Sequence, residues 1–138
     1  MYVSDYMSQP VAVSADQDYG AAFRMMRERG WEHVPITDHH NEVVGMLSRR
    51  KAELAAYRFQ TAPVEVSELI EGDTVYVADS EPLSKAAEQM ALHHIDAMLV
   101  RDATGRVIGI LSDADLHRAL VDVLRANAKL AAAEQSVA

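Results

Sequence analysis

The 138-residue chain has no cysteine, one tryptophan and two phenylalanines. Without thiols it can build neither a disulfide framework nor a thiolate metal site, and a cytoplasmic location fits that composition. Cations are in short supply too: 13 Lys and Arg stand against 21 Asp and Glu, a formal charge of −8. A surface of that sign repels nucleic acid and anionic lipid, so neither is expected as a general partner. No apolar run approaches the roughly 20 residues that a membrane-spanning helix needs. The opening MYVSDYMSQP lacks a basic segment followed by an apolar one, so no signal peptide is expected. Also missing are G-x-G-x-x-G, a Walker loop and G-x-S-x-G, and Ser112 has no evident base partner. Catalysis is therefore not expected. What remains is an ordinary globular balance, 49% apolar and 25% charged, in a chain long enough to bury a core.

The chain is written twice. Gly45 and Gly109 stand 64 positions apart, and the same offset pairs Val11 with Val75, Ala22 with Ala86 and Met26 with Met90. It also pairs Asp38 with Asp102, Val43 with Val107, Leu47 with Leu111 and Ser48 with Ser112. Upstream, DYM (Asp5 to Met7) matches ELI (Glu68 to Ile70) at an offset of 63. A repeat of this length cannot bury its apolar face alone and needs its twin. Two halves about a pseudo-twofold axis satisfy that need.

Periodicity places the elements within each half. VAV (Val11 to Val13) and VYV (Val75 to Val77) read as short strands. A helix follows, opened by Asp16 in the first half and by Asp79 or Ser80 ahead of Pro82 in the second. HVPIT (His33 to Thr37) and AMLVR (Ala97 to Arg101) read as strands. Polar turns, DHHNE and DATGR, lead into VVGML (Val43 to Leu47) and VIGIL (Val107 to Leu111), completing two hairpins. A last helix starts near Arg49 and, in the second half, near Asp113. The expected organisation is α/β of the α+β type, two β-α-β-β-α repeats. The first covers residues 1–60 and the second 67–130, joined by a linker at 61–66, with a frayed tail at 131–138.

The repeats differ most at the final strand-to-helix corner, GMLSRRK against GILSDAD. Ser112 followed by Asp115 makes a capping box, in which serine and an acidic residue satisfy free N–H groups at a helix start. An acidic residue there also suits the helix dipole. In the first half Ser48 is kept, but Lys51 stands where the aspartate should be. Arg49, Arg50 and Lys51 crowd a helix N-terminus, which favours anions and is slightly weakened by cations. They are either a solvated basic cluster or an anion seat.

The duplicated unit with G-h-h-S/T-x-x-D at its last corner resembles the cystathionine β-synthase (CBS) domain family. The tandem resembles a Bateman module, from about Val3 to Leu124. DYMSQP is similar to the family's opening segment, and VPIT to its proline-bearing strand. The resemblance implies a regulatory sensor that needs no cofactor and binds an adenosyl ligand in the cleft between repeats. AMP, ADP, ATP or S-adenosylmethionine would be the regulatory ligand. Asp115 and Ser112 would contact ribose or phosphate, and a carboxylate can accept from two adjacent hydroxyls. The base would lie near Thr74, Val75 and Tyr76 and near Ile95, Ala97 and Met98, with Leu99 where the family usually has proline. Lys51 cannot accept a hydrogen bond, so the first-half site is expected to be empty or altered. If both corners meet in one cleft, Asp115 holds ribose while Arg49, Lys51 or Ser48 meets phosphate. The resemblance also implies a homodimer, with faces around Met25 and Leu120, and an effector protein as partner. Against this stands a scaffold or dimerisation module with a degenerate cleft.

The adjacent pairs His39-His40 and His93-His94 lack the i, i+4 spacing of helical metal ligands, so no metal site is expected. Trp31 reads as a core or interface aromatic, and the methionines as core filling.

Overall fold

A computed structural model describes residues 1–58, 64–69 and 74–136. The elements run α1 (Val3–Tyr6), β1 (Val13–Ser14), α2 (Tyr19–Arg29), β2 (His33–Thr37), β3 (Val43–Ser48) and α3 (Arg49–Arg58). A 3₁₀ turn (Val66–Leu69) then precedes β4 (Tyr76–Ala78), α4 (Leu83–His93), β5 (Ala97–Arg101), β6 (Val107–Ser112) and α5 (Asp113–Ser136). Each half forms one three-stranded sheet, ordered β1-β2-β3 and β4-β5-β6, with a parallel first pair and an antiparallel hairpin. The α+β repeat expected from the periodicity is present.

Both hairpin turns are set by one aspartate in the same way. Asp38 Oδ1 accepts from the backbone N–H of His40 and Glu42, and Asp102 Oδ1 from those of Thr104 and Arg106. These hydrogen bonds favour the ionised carboxyl. Asp38, led by the Glu42 amide, and Asp102, led by the Thr104 hydroxyl, are held below the usual aspartate range.

The alternation of strand side chains builds three clusters. On β2, Val34 and Ile36 enter the first core with Ala22, Met26 and Leu47. On β5, Met98 and Val100 enter the second core with Ala86, Met90 and Leu111. The opposite face of β5 carries Ala97 and Leu99, which meet Ile110, Val43 and Met46 between the two halves. That seam explains why β5 is buried on both faces. Leu99 fills it in place of the proline found at the matching position of β2, Pro35.

The halves exchange their leading turns. α1 packs on the second core through Val3, which is fully buried, and its backbone is tied there by Val3 N to Glu81 O and Ser4 N to Asp79 O, both 3.0 Å. Reciprocally, Val64 and Val66 enter the first core, with Val66 N donating to Gln17 O at 2.9 Å. The expected boundaries thus need correcting. Val64 and Val66, assigned to a linker, are core of the first half, with Glu65 exposed between them, because two buried valines outweigh the turn-like composition around them. Residues 61–63 of that linker lie outside the described residues.

Other local expectations are also revised. Val11 is exposed and only Val13–Ser14 pairs as β1. The cap of α2 is Asp18, whose carboxylate accepts from Ala21 N at 3.2 Å, and not Asp16, which instead accepts from Ser14 Oγ. Pro82 itself is the N-cap of α4, with no side-chain cap from Asp79 or Ser80. α5 stays helical through Ser136, into the stretch expected to fray. Three consecutive alanines, the best helix formers, account for that.

Candidate functional site

The last strand of each half ends at a serine, and the next residue opens a helix. Arg49 N donates to Glu32 O at 2.8 Å and Asp113 N to Asp96 O at 3.0 Å, so both helix starts are pinned beside the second strand of their own sheet. Each corner keeps one half of a capping box. In the first half Ser48 Oγ accepts from Lys51 N at 3.1 Å. In the second the carboxylate of Asp115 accepts from Ser112 N at 2.8 Å.

Asp115 is the one charged residue buried among the described residues, at 2% exposure. Its Oδ2 also accepts from Ser112 Oγ at 3.1 Å, and its Oδ1 accepts from Ser8 Oγ at 2.7 Å and from the Arg118 guanidinium. Ser8 reaches it because the N-terminal segment pairs with β6. Ser8 N donates to Ile110 O and Ile110 N to Ser8 O, both at 2.8 Å. Three of the four donors are therefore side-chain groups. The carboxylate lines a cavity of about 170 Å³ with Ser8, Pro10, Trp31, His33 and Arg118. Capping does not exhaust this group; it caps the helix and lines a hollow at once.

Ser48 and Lys51 line a second cavity, of about 820 Å³. Facing them from the other half are Thr74, Val75, Ile95 and Ala97. Arg50 and Arg58 add cations from α3, while Glu68 and Asp96 add carboxylates. The expected base-contacting segments therefore converge on Lys51, and the single shared cleft is corrected. Asp115 and Lys51 serve different openings, because the repeat carries each corner to the opposite side of the seam. Arg49 lines neither; its guanidinium is paired with Glu32. Tyr76 packs at the seam beneath Arg101, whose guanidinium lies 3.4 Å from the ring centre, and Met98 belongs to the second core.

His33 and Glu32 border both openings. His33 Nε2 lies 3.7 Å from Asp96 Oδ1, a contact between halves, and its buried Nδ1 has no hydrogen-bond partner. Trp31 borders the Asp115 cavity while also packing on the first core, so the core reading of it covers one of its two faces. The residues missed from sequence were Ser8, Arg118 and Arg58. Arg118 alone carried a signal, lying one helical turn beyond Asp115. Among the described residues no group of three His, Cys, Asp or Glu is placed to hold a metal ion.

The CBS domain family model matches residues 3–52 and 66–122. The chain belongs to the CBS domain family. It is 29% identical, over 85% of its length, to a homoserine O-acetyltransferase of Methanohalobium evestigatum, of which it spans 24%. The chain thus covers about a quarter of the first curated relatives it matches. Among solved structures it resembles the CBS domain pair of protein MJ0100 in complex with 5′-methylthioadenosine and S-adenosyl-L-methionine. There the TM-score is 0.76 at 23% identity, covering 88% of this chain and 97% of that one. It also resembles CBSX2 in complex with AMP, with a TM-score of 0.72 at 24% identity, covering 88% and 97%. These likenesses establish a tandem CBS pair. No helix among the described residues is long and apolar enough to cross a membrane.

Proposed function

We propose that this CBS pair is a non-catalytic regulatory sensor of an adenosyl ligand. The observation that carries this is the cavity of about 820 Å³ between the repeats, where Ser48 and Lys51 face Thr74, Val75, Ile95 and Ala97. Its size falls within the roughly 300–1,000 Å³ typical of small-molecule sites. Val75, Ile95 and Ala97 offer an apolar seat for a base, and Lys51 at the positive end of α3 offers a cation to a phosphate. The two structural relatives described above hold ligands of this chemistry. Occupancy would favour one arrangement of the two halves, a population shift that an effector protein could read.

A melting-temperature panel of AMP, ADP, ATP, adenosine and S-adenosylmethionine tests the reading. A ligand at 100 times its dissociation constant adds about 2.7 kcal/mol. That should raise the melting temperature by roughly 5–15 °C. Lys51→Ala is expected to weaken AMP by about tenfold in this cleft while leaving adenosine unchanged, the cost of one charge-assisted contact. Equal losses for both ligands would remove Lys51 from the phosphate site. A flat panel for the parent protein would instead support a scaffold with a degenerate cleft, the reading favoured by the missing carboxylate at position 51.

The pair is further proposed to form a homodimer. α5 leaves Leu120, Leu124 and Leu130 exposed, whereas Met25, the other expected contact, is partly covered by the first core. Sedimentation equilibrium should show a dimer that Leu120→Glu with Leu124→Glu converts to monomer. A parent protein that sediments as a monomer at tens of micromolar would refute this.

A further inference from the structure

We infer that Arg118 decides which adenosyl ligands the Asp115 cavity accepts: it latches the carboxylate and transfers to a ligand phosphate, favouring nucleoside phosphates over neutral nucleosides and sulfonium compounds. The inference rests on the adenosyl reading above and narrows the ligand class.

A carboxylate offers about four lone-pair positions, and Asp115 meets four donors: Ser112 N, Ser112 Oγ, Ser8 Oγ and Arg118. A ribose diol entering the cavity must displace some of them. Ser112 N is fixed by the corner it caps. Ser8 is held by its two backbone bonds to Ile110. Arg118 is the donor that moves most easily, because its side chain is 60% exposed and passes into water when released.

Released, the guanidinium does not travel far. It also donates to Tyr6 O at 2.8 Å, an acceptor that involves no Asp115 atom. Among the residues lining the cavity it is the one Lys or Arg, and Glu32, the other acid there, already pairs with Arg49. A phosphate at the ribose 5′ position gives Arg118 a new bidentate partner in exchange for the one it loses. A neutral nucleoside takes the carboxylate and gives nothing back. A sulfonium ligand places a second cation beside the first.

The chain's single tryptophan makes the test specific to this cavity. Trp31 lines it and does not line the Lys51 cleft. Titrations of AMP, adenosine and S-adenosylmethionine are followed by Trp31 fluorescence in the Lys51→Ala background, with calorimetry in parallel. AMP should bind at least about tenfold more tightly than the other two. Arg118→Gln should erase that preference by weakening AMP, with adenosine unchanged or tighter, and Arg118→Lys should retain part of it. Melting temperatures of the variants, expected near the parent's because Arg118 is largely exposed, exclude unfolding as the cause. A parent without preference, or a preference that survives Arg118→Gln, overturns the inference. Heat of binding without any Trp31 response overturns it alone, by locating all binding elsewhere. Absence of both signals in the parent sinks the adenosyl reading itself.

Discussion

Asp115→Ala is expected to lower the melting temperature by roughly 6–12 °C and to abolish the Trp31 response to AMP. The loss follows from what each donor does once the carboxylate is gone. Ser112 N loses its acceptor at the helix start, a capping loss of about 1 kcal/mol. Ser112 Oγ, half-buried, loses its acceptor as well, at about 0.5–1.5 kcal/mol, and Ser8 Oγ, on an exposed residue, loses its own at about 0.5 kcal/mol. Arg118 adds little, because an exposed guanidinium simply hydrates. The larger penalty that follows when a buried ion is stripped of its partner does not apply here. The total is about 2–3 kcal/mol. Asp115→Asn keeps one acceptor oxygen at the same size and should recover part of the stability. It should not recover nucleotide binding, since its NH₂ cannot accept from a hydroxyl. A variant that melts within about 2 °C of the parent and still responds to AMP would show the carboxylate to be irrelevant to both roles.

That double role explains why the corner could be read only halfway from sequence. The S-x-x-D spacing is local, so the capping contact between Ser112 and Asp115 was legible. Ser8 comes from the far end of the chain, and no periodicity links it to Asp115. The same division runs through the fold. Hairpins β2-β3 and β5-β6 were legible because apolar alternation and polar turns are local signals, and the repeat doubled every one of them. The exchange of leading turns was not. Val3 and Val66 look like ordinary apolar residues at matching positions, and sequence alone does not say which core each enters. The single-cleft expectation erred for a related reason. A repeat specifies that two corners are alike, and likeness alone does not bring them together. The side chains at the seam, Leu99 and Ile110 against Val43 and Met46, instead fix a packing in which each corner opens beside the other repeat's segments.

The chain's most sensitive backbone position is expected to be Gly109. A Cβ there would stand 2.6 Å from the carbonyl oxygen of Ser8 and 3.2 Å from Met7 Sδ. The methionine can turn aside, but the carbonyl cannot, because it accepts from Ile110 N at 2.8 Å. Gly109→Ala must therefore push the N-terminal segment off β6, breaking both Ser8–Ile110 hydrogen bonds and drawing Ser8 Oγ away from Asp115. Overpacking of about 1–3 kcal/mol combines with about 1 kcal/mol for each lost bond. A cost of about 3–5 kcal/mol should be read in urea unfolding. Gly105→Ala supplies the contrast. Its φ of +85° disfavours a side chain, yet nothing lies within 4 Å of the added carbon, so only about 1 kcal/mol is expected. If the two variants cost the same, the close approach of Ser8 to β6 is wrong. Shortening Ser8 instead, as Ser8→Ala, leaves the backbone bridge intact and removes one donor to Asp115. That change should cost little in stability and should tighten AMP at the Trp31 cavity severalfold, because one acceptor position then stands open to the ribose.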